Sequence, residues 1–260
     1  MKVGFIGCGN MGGALARAVS NVLNTEVYIY DYNTEKSASF AKEIGAQISD
    51  SISIAKECDF IFLGVKPNVL PTVIEGIKDN LGGGVIVSMA AGVSLEKIKG
   101  FVGDYPTVRI MPNTPVAVGR GMISWCKSES VGERQSSDFE KIMSKSGRML
   151  YIEERLIDAA TAVAGCGPAF VYMFAEALAD GGVECGLPRD KALTLAAETI
   201  KGAAEMLLTT GKHPGQLKDD VCSPGGSTIE GVHALENGAF RADTIGAVTA
   251  AFEKTKKLGK

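Results

Sequence analysis

Two glycine-rich stretches have the residue types and spacing to hold anions on backbone N–H groups. The first, "GFIGCGNMGGA" at 4–14, meets the pattern GxGxxG with Gly7, Gly9 and Gly12. It follows a strand-like run and opens a helical one, the context in which the pattern carries meaning. Gly7 allows the tight turn, Gly9 lets a pyrophosphate approach the backbone, and Gly12 lets helix and strand pack closely. Asp31 closes the next strand-like run, 19 positions after Gly12, where a carboxylate can bond ribose hydroxyls. The second stretch, "CSPGGSTIEG" at 222–231, sets Gly225, Gly226 and Ser227 at the start of another helical pattern. Their N–H groups and the helix dipole favour a negative guest, and the Ser223 and Thr228 hydroxyls stand beside them. Ser223 and Ser227 have an alternative use as caps of that helix, which competes for the same N–H groups.

Material for other chemistry is scarce. There are two histidines, His213 and His233, so histidine-based zinc or triad chemistry has little to work with, and no metal site is expected. Six cysteines at 8, 58, 126, 166, 185 and 222 form no CxxC pair and sit in apolar or glycine-rich surroundings. They read as buried free thiols of a reducing compartment. The net charge of −3 and the scattered basic residues, apart from the tail "KTKKLGK", argue against nucleic acid as a partner. No apolar run reaches membrane-spanning length, and the chain passes from Met-Lys straight into a strand with no signal peptide. The expectation is a cytoplasmic protein with no membrane partner.

The elements that must position the two cradles differ between the halves of the chain. In 1–153, "KVGFIG", "EVYIYD", "DFIFLGV", "GVIVSMA" and "TVRIMPN" read as strands with helical stretches between them, and "GMISWCK" and "GRMLYIE" extend the sheet. Strands with helical crossovers predict a doubly wound, mainly parallel α/β sheet of the Rossmann type, and their near-continuous apolar character predicts burial on both faces. Ligands of such sheets bind beyond the carboxyl ends of the strands. That directs attention to "GVKP" (64–67), whose Lys66 can reach phosphate or ribose or be an ordinary surface lysine. It also points to "SMAAGV" (88–93), whose small residues leave room for a flat nicotinamide ring or simply turn. From 154 to 260 the pattern is all helical and rich in Ala and Gly. One helix carries Phe170, Val171, Met173, Phe174, Ala177 and Leu178 around most of its circumference. So small a helical region offers little interior of its own, so a second copy is the expected cover, with packing on the first domain as the alternative.

The motifs "FIGCGNMG", "VKP", "MAAGV" and "RIMPNTP" in the first half resemble those of the pyrroline-5-carboxylate reductase family. So do "GCGPAFVYMFAEALADGGVECGLPR" and "HPGQLKDDVCSPGGSTIEGVHALENGAFR" in the second, and the likeness runs in order over essentially the whole chain. The SPGG-x-T-I segment is its most specific part, because a Rossmann fingerprint is shared by many dehydrogenases. The resemblance implies reduction of 1-pyrroline-5-carboxylate to L-proline, the last step of proline biosynthesis, with NADH or NADPH. It implies a helical domain that interlocks two subunits, with decamers among the assemblies, and a substrate loop that meets the cofactor at the dimer interface.

On that reading the first cradle holds the cofactor pyrophosphate and the second holds the substrate carboxylate. The cofactor set is then Ile6, Gly7, Gly9, Asn10, Met11 and Gly12 in the first loop, Asp31, Tyr32 and Asn33 after the second strand, and Ser51. Gly64, Val65, Lys66 and Pro67, with Met89, Ala90 and Ala91, complete it. The substrate set is Ser223, Gly225, Gly226, Ser227 and Thr228, with Thr228 as the catalytic residue that meets the imine nitrogen. Asn113 and Thr114 either shape the floor of the site or serve as turn residues. A protonated imine accepts hydride readily, so catalysis would rest mainly on proximity. Two rivals remain. A short-chain β-hydroxyacid dehydrogenase needs an early lysine in the helical region, but none lies between Lys145 and Lys191. A non-catalytic dinucleotide sensor needs no second anion site. Asp31 predicts that NADH serves at least as well as NADPH, unless its carboxylate turns away to cap the next helix.

Overall fold

The structure is a computed structural model that describes residues 1–258. The last two residues of the basic tail, which also end the predicted 154–260 region, lie outside the described residues. The first part alternates strands and helices: β1 (Lys2–Ile6), α1 (Asn10–Ser20), β2 (Glu26–Tyr30), α2 (Thr34–Ile44), β3 (Gln47–Ile48) and α3 (Ser51–Glu57). It continues with β4 (Phe60–Leu63), α4 (Leu70–Ile77), β5 (Val85–Ser88), α5 (Leu95–Val102), β6 (Thr107–Met111), β7 (Gly121–Lys127), α6 (Glu133–Met143) and β8 (Gly147–Tyr151). The helices that follow are α7 (Ile157–Ala160), a π-helical turn (Thr161–Gly165), α8 (Gly167–Glu184), α9 (Arg189–Thr210), α10 (Pro214–Asp220), α11 (Ser227–Asn237) and α12 (Phe240–Leu258).

The strands form one sheet in the order β3-β2-β1-β4-β5-β6-β7-β8. Every pairing is parallel except that of β6 with β7. Chain direction across the sheet reverses between β1 and β4, and this switch point opens a crevice at the carboxyl ends of those strands. β1, β4, β5 and β6 are buried almost throughout because both faces are covered. On one face Phe5 stacks on Phe62 with ring centroids 4.5 Å apart, beneath Leu15, Val19, Phe139 and Ile142. On the other, Ile61 and Ile86 pack under Ile54, Leu70, Ile74 and Ile98. The edge strands β3 and β8 are largely exposed.

Met1–Cys166 and the segment that begins at Ala250 make one compact unit, and Gly167–Thr249 makes a second. The transition falls beyond residue 153 because 154–166 are anchored to the sheet. Ile157 is fully buried in a cluster with Met111 and Cys126, and Arg109 holds Glu154 and Asp158.

In the second unit α8 and α9 meet through Ala179, Ala192 and Ala196, small residues that let helices approach closely. Phe174 also meets Phe240, with centroids 5.7 Å apart. Much of the apolar surface is left open: Met173 is 69% exposed, Leu208 67% and Ile245 67%.

Two sequence expectations are corrected here. One helical run spans Glu154–Glu184 and holds an 18-residue stretch of mean hydropathy 1.4, long and apolar enough by length and composition alone to cross a membrane. The expectation of no such segment failed because "GCGP" reads as a break, whereas the π turn carries the helix through it. The cysteines are not uniformly buried either: Cys8, Cys58 and Cys126 are, Cys166 and Cys222 are partly so, and Cys185 is exposed.

Candidate active site

The first cradle is built at the switch point. Gly7 follows β1 with φ +97°, a conformation that L side chains rarely adopt, and its N–H donates to the Tyr30 carbonyl at 2.8 Å. A Cβ at Gly12 or at Gly64 would lie 2.3 Å from the Gly7 carbonyl oxygen, so β1, α1 and the end of β4 meet where only glycine fits. A Cβ at Gly9 would meet nothing within 4 Å, which leaves its face open. Gly9 is the N-cap of α1 and no side chain caps that helix. The first-turn N–H groups at Asn10, Met11 and Gly12 therefore have no intrahelical partner, the arrangement a pyrophosphate requires. These features fit a dinucleotide.

Around that cradle the other predicted positions fall at strand ends. Asp31 follows β2, and its carboxylate accepts the Cys8 N–H at 2.7 Å and the Asn33 N–H at 3.0 Å. It does not cap α2; Asn33 does, accepting from the Lys36 N–H at 3.0 Å. Tyr32 beside it is 93% exposed. A cleft of about 550 Å³ opens there, lined by Cys8, Gly9, Asn10, Arg17 and Lys36 among others. The Cys8 thiol is pushed up to about 12, first by burial and then by the Asp31 charge, so it stays a neutral thiol. Ser51 opens α3, whose cap is Asp50. Ile6 turns its side chain into the core, so only its backbone faces the crevice. Val65 packs against the core, and the Lys66 carbonyl accepts from Val69 and Leu70 to start α4. The Lys66 side chain is exposed beside Pro67. At the end of β5, Met89 packs on one core cluster, Ala90 is buried, and Ala91 packs beside Met111 and Ile157.

The second cradle is a tight turn in the second unit. The Gly226 N–H donates to the Ser223 carbonyl at 3.0 Å, with Pro224 and Gly225 between them. Gly225 has φ +67°, as the third residue of a type II turn must. Gly226 is the N-cap of α11, and neither the Ser223 nor the Ser227 hydroxyl accepts an N–H of that helix. The capping alternative is therefore not what the structure shows. The N–H groups at the start of α11 stay open and the whole turn faces solvent. The approach to it is held by His213, whose Nδ1 accepts from the Gly215 N–H at 3.1 Å to cap α10, and by an ion pair of Lys212 with Asp220 at 2.9 Å.

Two residues outside the predicted set, one on β6 and one just beyond it, tie the sheet to the segment that follows β8. Arg109 is 3% exposed and bridges Glu154 at 3.2 Å and Asp158 at 2.8 Å. Its only signal in the sequence is a cation within an otherwise apolar strand. Asn113, left open as a floor or turn residue, engages both ends of its amide: Oδ1 accepts from the Met122 N–H at 2.9 Å and Nδ2 donates to the Ala164 carbonyl at 3.0 Å.

A switch-point glycine cradle with an acid at the end of β2, joined in one chain to a helical unit bearing a second open helix N-terminus, defines a dinucleotide-dependent oxidoreductase. The first part matches the family model "NADP oxidoreductase coenzyme F420-dependent" over residues 2–92, and the second matches "Pyrroline-5-carboxylate reductase dimerisation" over 154–258. The chain is 41% identical to pyrroline-5-carboxylate reductase of Escherichia coli, covering 100% of this chain and 98% of that one. It is 40% identical to the Arabidopsis thaliana enzyme, covering 100% and 96%. The crystal structure of Plasmodium falciparum pyrroline carboxylate reductase with NADP bound superposes with a TM-score of 0.91 at 34% identity, covering 100% and 98%. The chain belongs to the pyrroline-5-carboxylate reductase family.

Proposed function

We propose that this chain reduces 1-pyrroline-5-carboxylate to L-proline with NADH or NADPH, as the last step of proline biosynthesis. The observation that carries this reading is the pair of uncapped helix N-termini, α1 behind Gly9 and α11 behind Gly226, in a chain of this family. A dinucleotide needs the first. A substrate whose only fixed charge is a carboxylate gives the second its use. Neither a β-hydroxyacid dehydrogenase without its lysine nor a silent dinucleotide sensor accounts for it.

In this reading the loop residues Gly7, Gly9, Asn10, Met11 and Gly12 hold the pyrophosphate, and Asp31, Tyr32, Asn33 and Ser51 border the adenosine. Lys66 and its neighbours Gly64, Val65 and Pro67, with Met89, Ala90 and Ala91, border the remainder. The bound nicotinamide supplies the hydride. In the turn of Gly225 and Gly226 the Gly226 N–H is taken by the Ser223 carbonyl, so the backbone N–H groups of Gly225, Ser227 and Thr228 hold the substrate carboxylate, with the Ser223 hydroxyl as a further donor. The Thr228 hydroxyl meets the ring nitrogen and orients the imine, and no strong protein acid is required because such a nitrogen takes its proton from water. The helical region 154–260 joins two copies into a homodimer, and dimers gather into larger rings such as decamers in the cytoplasm. The deciding experiment is an NAD(P)H oxidation assay with 1-pyrroline-5-carboxylate, with proline identified as the product. Cofactor binding without turnover would return the chain to the sensor reading.

A further inference from the structure

The sheet grips the start of the helical run at two points on one strand. Side chains two apart on a strand share a face, and on β6 Arg109 reaches Glu154 and Asp158 while Met111 packs against Ile157. Just beyond the strand, Asn113 reaches the Ala164 carbonyl, near the end of the π turn. That carbonyl has a particular need. In an α-helix its donor would be the N–H four residues on, but that residue is Pro168, which has none. The helix widens just before it, with the Cys166 N–H reaching back five residues to the Thr161 carbonyl at 2.9 Å. π turns inside α-helices are common at functional sites.

Asn113 is 8% exposed and its amide is divided between two tasks. Its oxygen secures the start of β7 at Met122, and its NH2 supplies a donor where Pro168 cannot. The π turn lies beside the carboxyl ends of β5 and β6: Ala91 shares a cluster with Met111 and Ile157, and a Cβ at Gly165 would lie 4.0 Å from Met111 Cγ. In the reductase reading the small residues at the end of β5 leave room for the flat nicotinamide ring. We infer that Asn113 is a positioning residue for hydride transfer, acting through the Ala164 carbonyl to set the π turn against the nicotinamide end of the crevice. The inference rests on the reductase reading.

The test is Asn113→Asp, which keeps an oxygen for the Met122 N–H but replaces the donor to Ala164 with a second acceptor. Misplacement of about 1 Å can cost on the order of 100-fold in rate. The expected result is a fall in kcat of roughly 10-fold or more, with the KM for NADPH little changed. The primary isotope effect with C4-deuterated NADPH should rise, because hydride transfer becomes more rate-limiting. Asn113→Ser, which retains a hydroxyl donor, should recover part of kcat. A folded Asn113→Asp enzyme with wild-type kcat and isotope effect overturns the inference, as does a loss confined to the KM of NADPH. If the wild-type chain itself fails to reduce the imine, the reductase reading has failed and not the role of Asn113 alone.

Discussion

The Asp31 carboxylate accepts the Cys8 N–H at 2.7 Å, so the residue that ends β2 is bonded directly to the glycine loop that follows β1. A second bond from the Asn33 N–H, at 3.0 Å, holds the other oxygen. With both oxygens engaged, the charge is held in place at the mouth of the crevice.

This placement bears on cofactor choice. A 2′-phosphate near Asp31 meets a like charge at a cost of ~1 kcal/mol or more near a surface, so NADH should serve at least as well as NADPH. Asp31→Ser should move the ratio of kcat/KM values towards NADPH by roughly 5-fold or more, the equivalent of that energy. It should also weaken both cofactors somewhat, since the glycine loop loses a charge-assisted bond. A wild-type enzyme that favours NADPH a hundredfold would sink this role for Asp31.

Thr228 lies in the first turn of α11, and its hydroxyl makes no bond to another described residue. Thr228→Ala should therefore leave folding intact and lower turnover more than it raises the KM of NAD(P)H. Steady-state kinetics with both substrates varied decides this. Unchanged efficiency towards the imine removes Thr228 from the reaction.

The turn at 223–226 should recognise a carboxylate. Proline should compete with the imine, whereas pyrrolidine, which lacks the carboxylate, should not; equal inhibition by both would refute the assignment. Gly225→Ala forces a Cβ into φ +67°, at a cost of about 1–2 kcal/mol, and should raise the KM of the imine alone. At Gly226 a Cβ would lie 2.4 Å from Ser223 Oγ, so Gly226→Val should displace that hydroxyl and abolish imine binding.

The open apolar faces of α8, α9 and α12 should be covered in solution by a second copy. Sedimentation should give a dimer or a larger multiple, and an active monomer at assay concentration would contradict this.

Burial pushes the thiols of Cys8, Cys58 and Cys126 up to about 12, from an ordinary value of 9.0. Above pH 9 the unfolded chain releases these protons while the folded chain keeps them. The stabilisation from the three neutral thiols is therefore complete below pH 9 and declines as pH rises towards 12. Melting temperatures should fall across that range, and Cys8→Ala, Cys58→Ala and Cys126→Ala together should flatten the decline. At neutral pH the exposed Cys185 should alkylate well before these three, as peptide mapping would reveal.

The sequence by itself determined the two glycine turns, the sheet and the helical second half. Each is written in local chemistry: Gly7 and Gly225 stand where φ must be positive, and the strands announce two-sided burial by being apolar throughout. It also singled out Asp31, but as a choice between facing ribose and capping α2, because a side chain's partner is a matter of direction in space. Tertiary structure removed the capping alternative by giving the cap to Asn33, and it turned the Asp31 carboxylate to the Cys8 N–H. It likewise gave residues 154–166 to the first unit, since the Arg109 clasp to Glu154 and Asp158 joins residues 45 and 49 positions apart, beyond any local pattern. The role of Asn113 emerged only there as well. The missing N–H of Pro168 is plain in the sequence, but the donor that answers it comes from a residue 51 positions from Ala164, which only the folded chain brings within 3.0 Å.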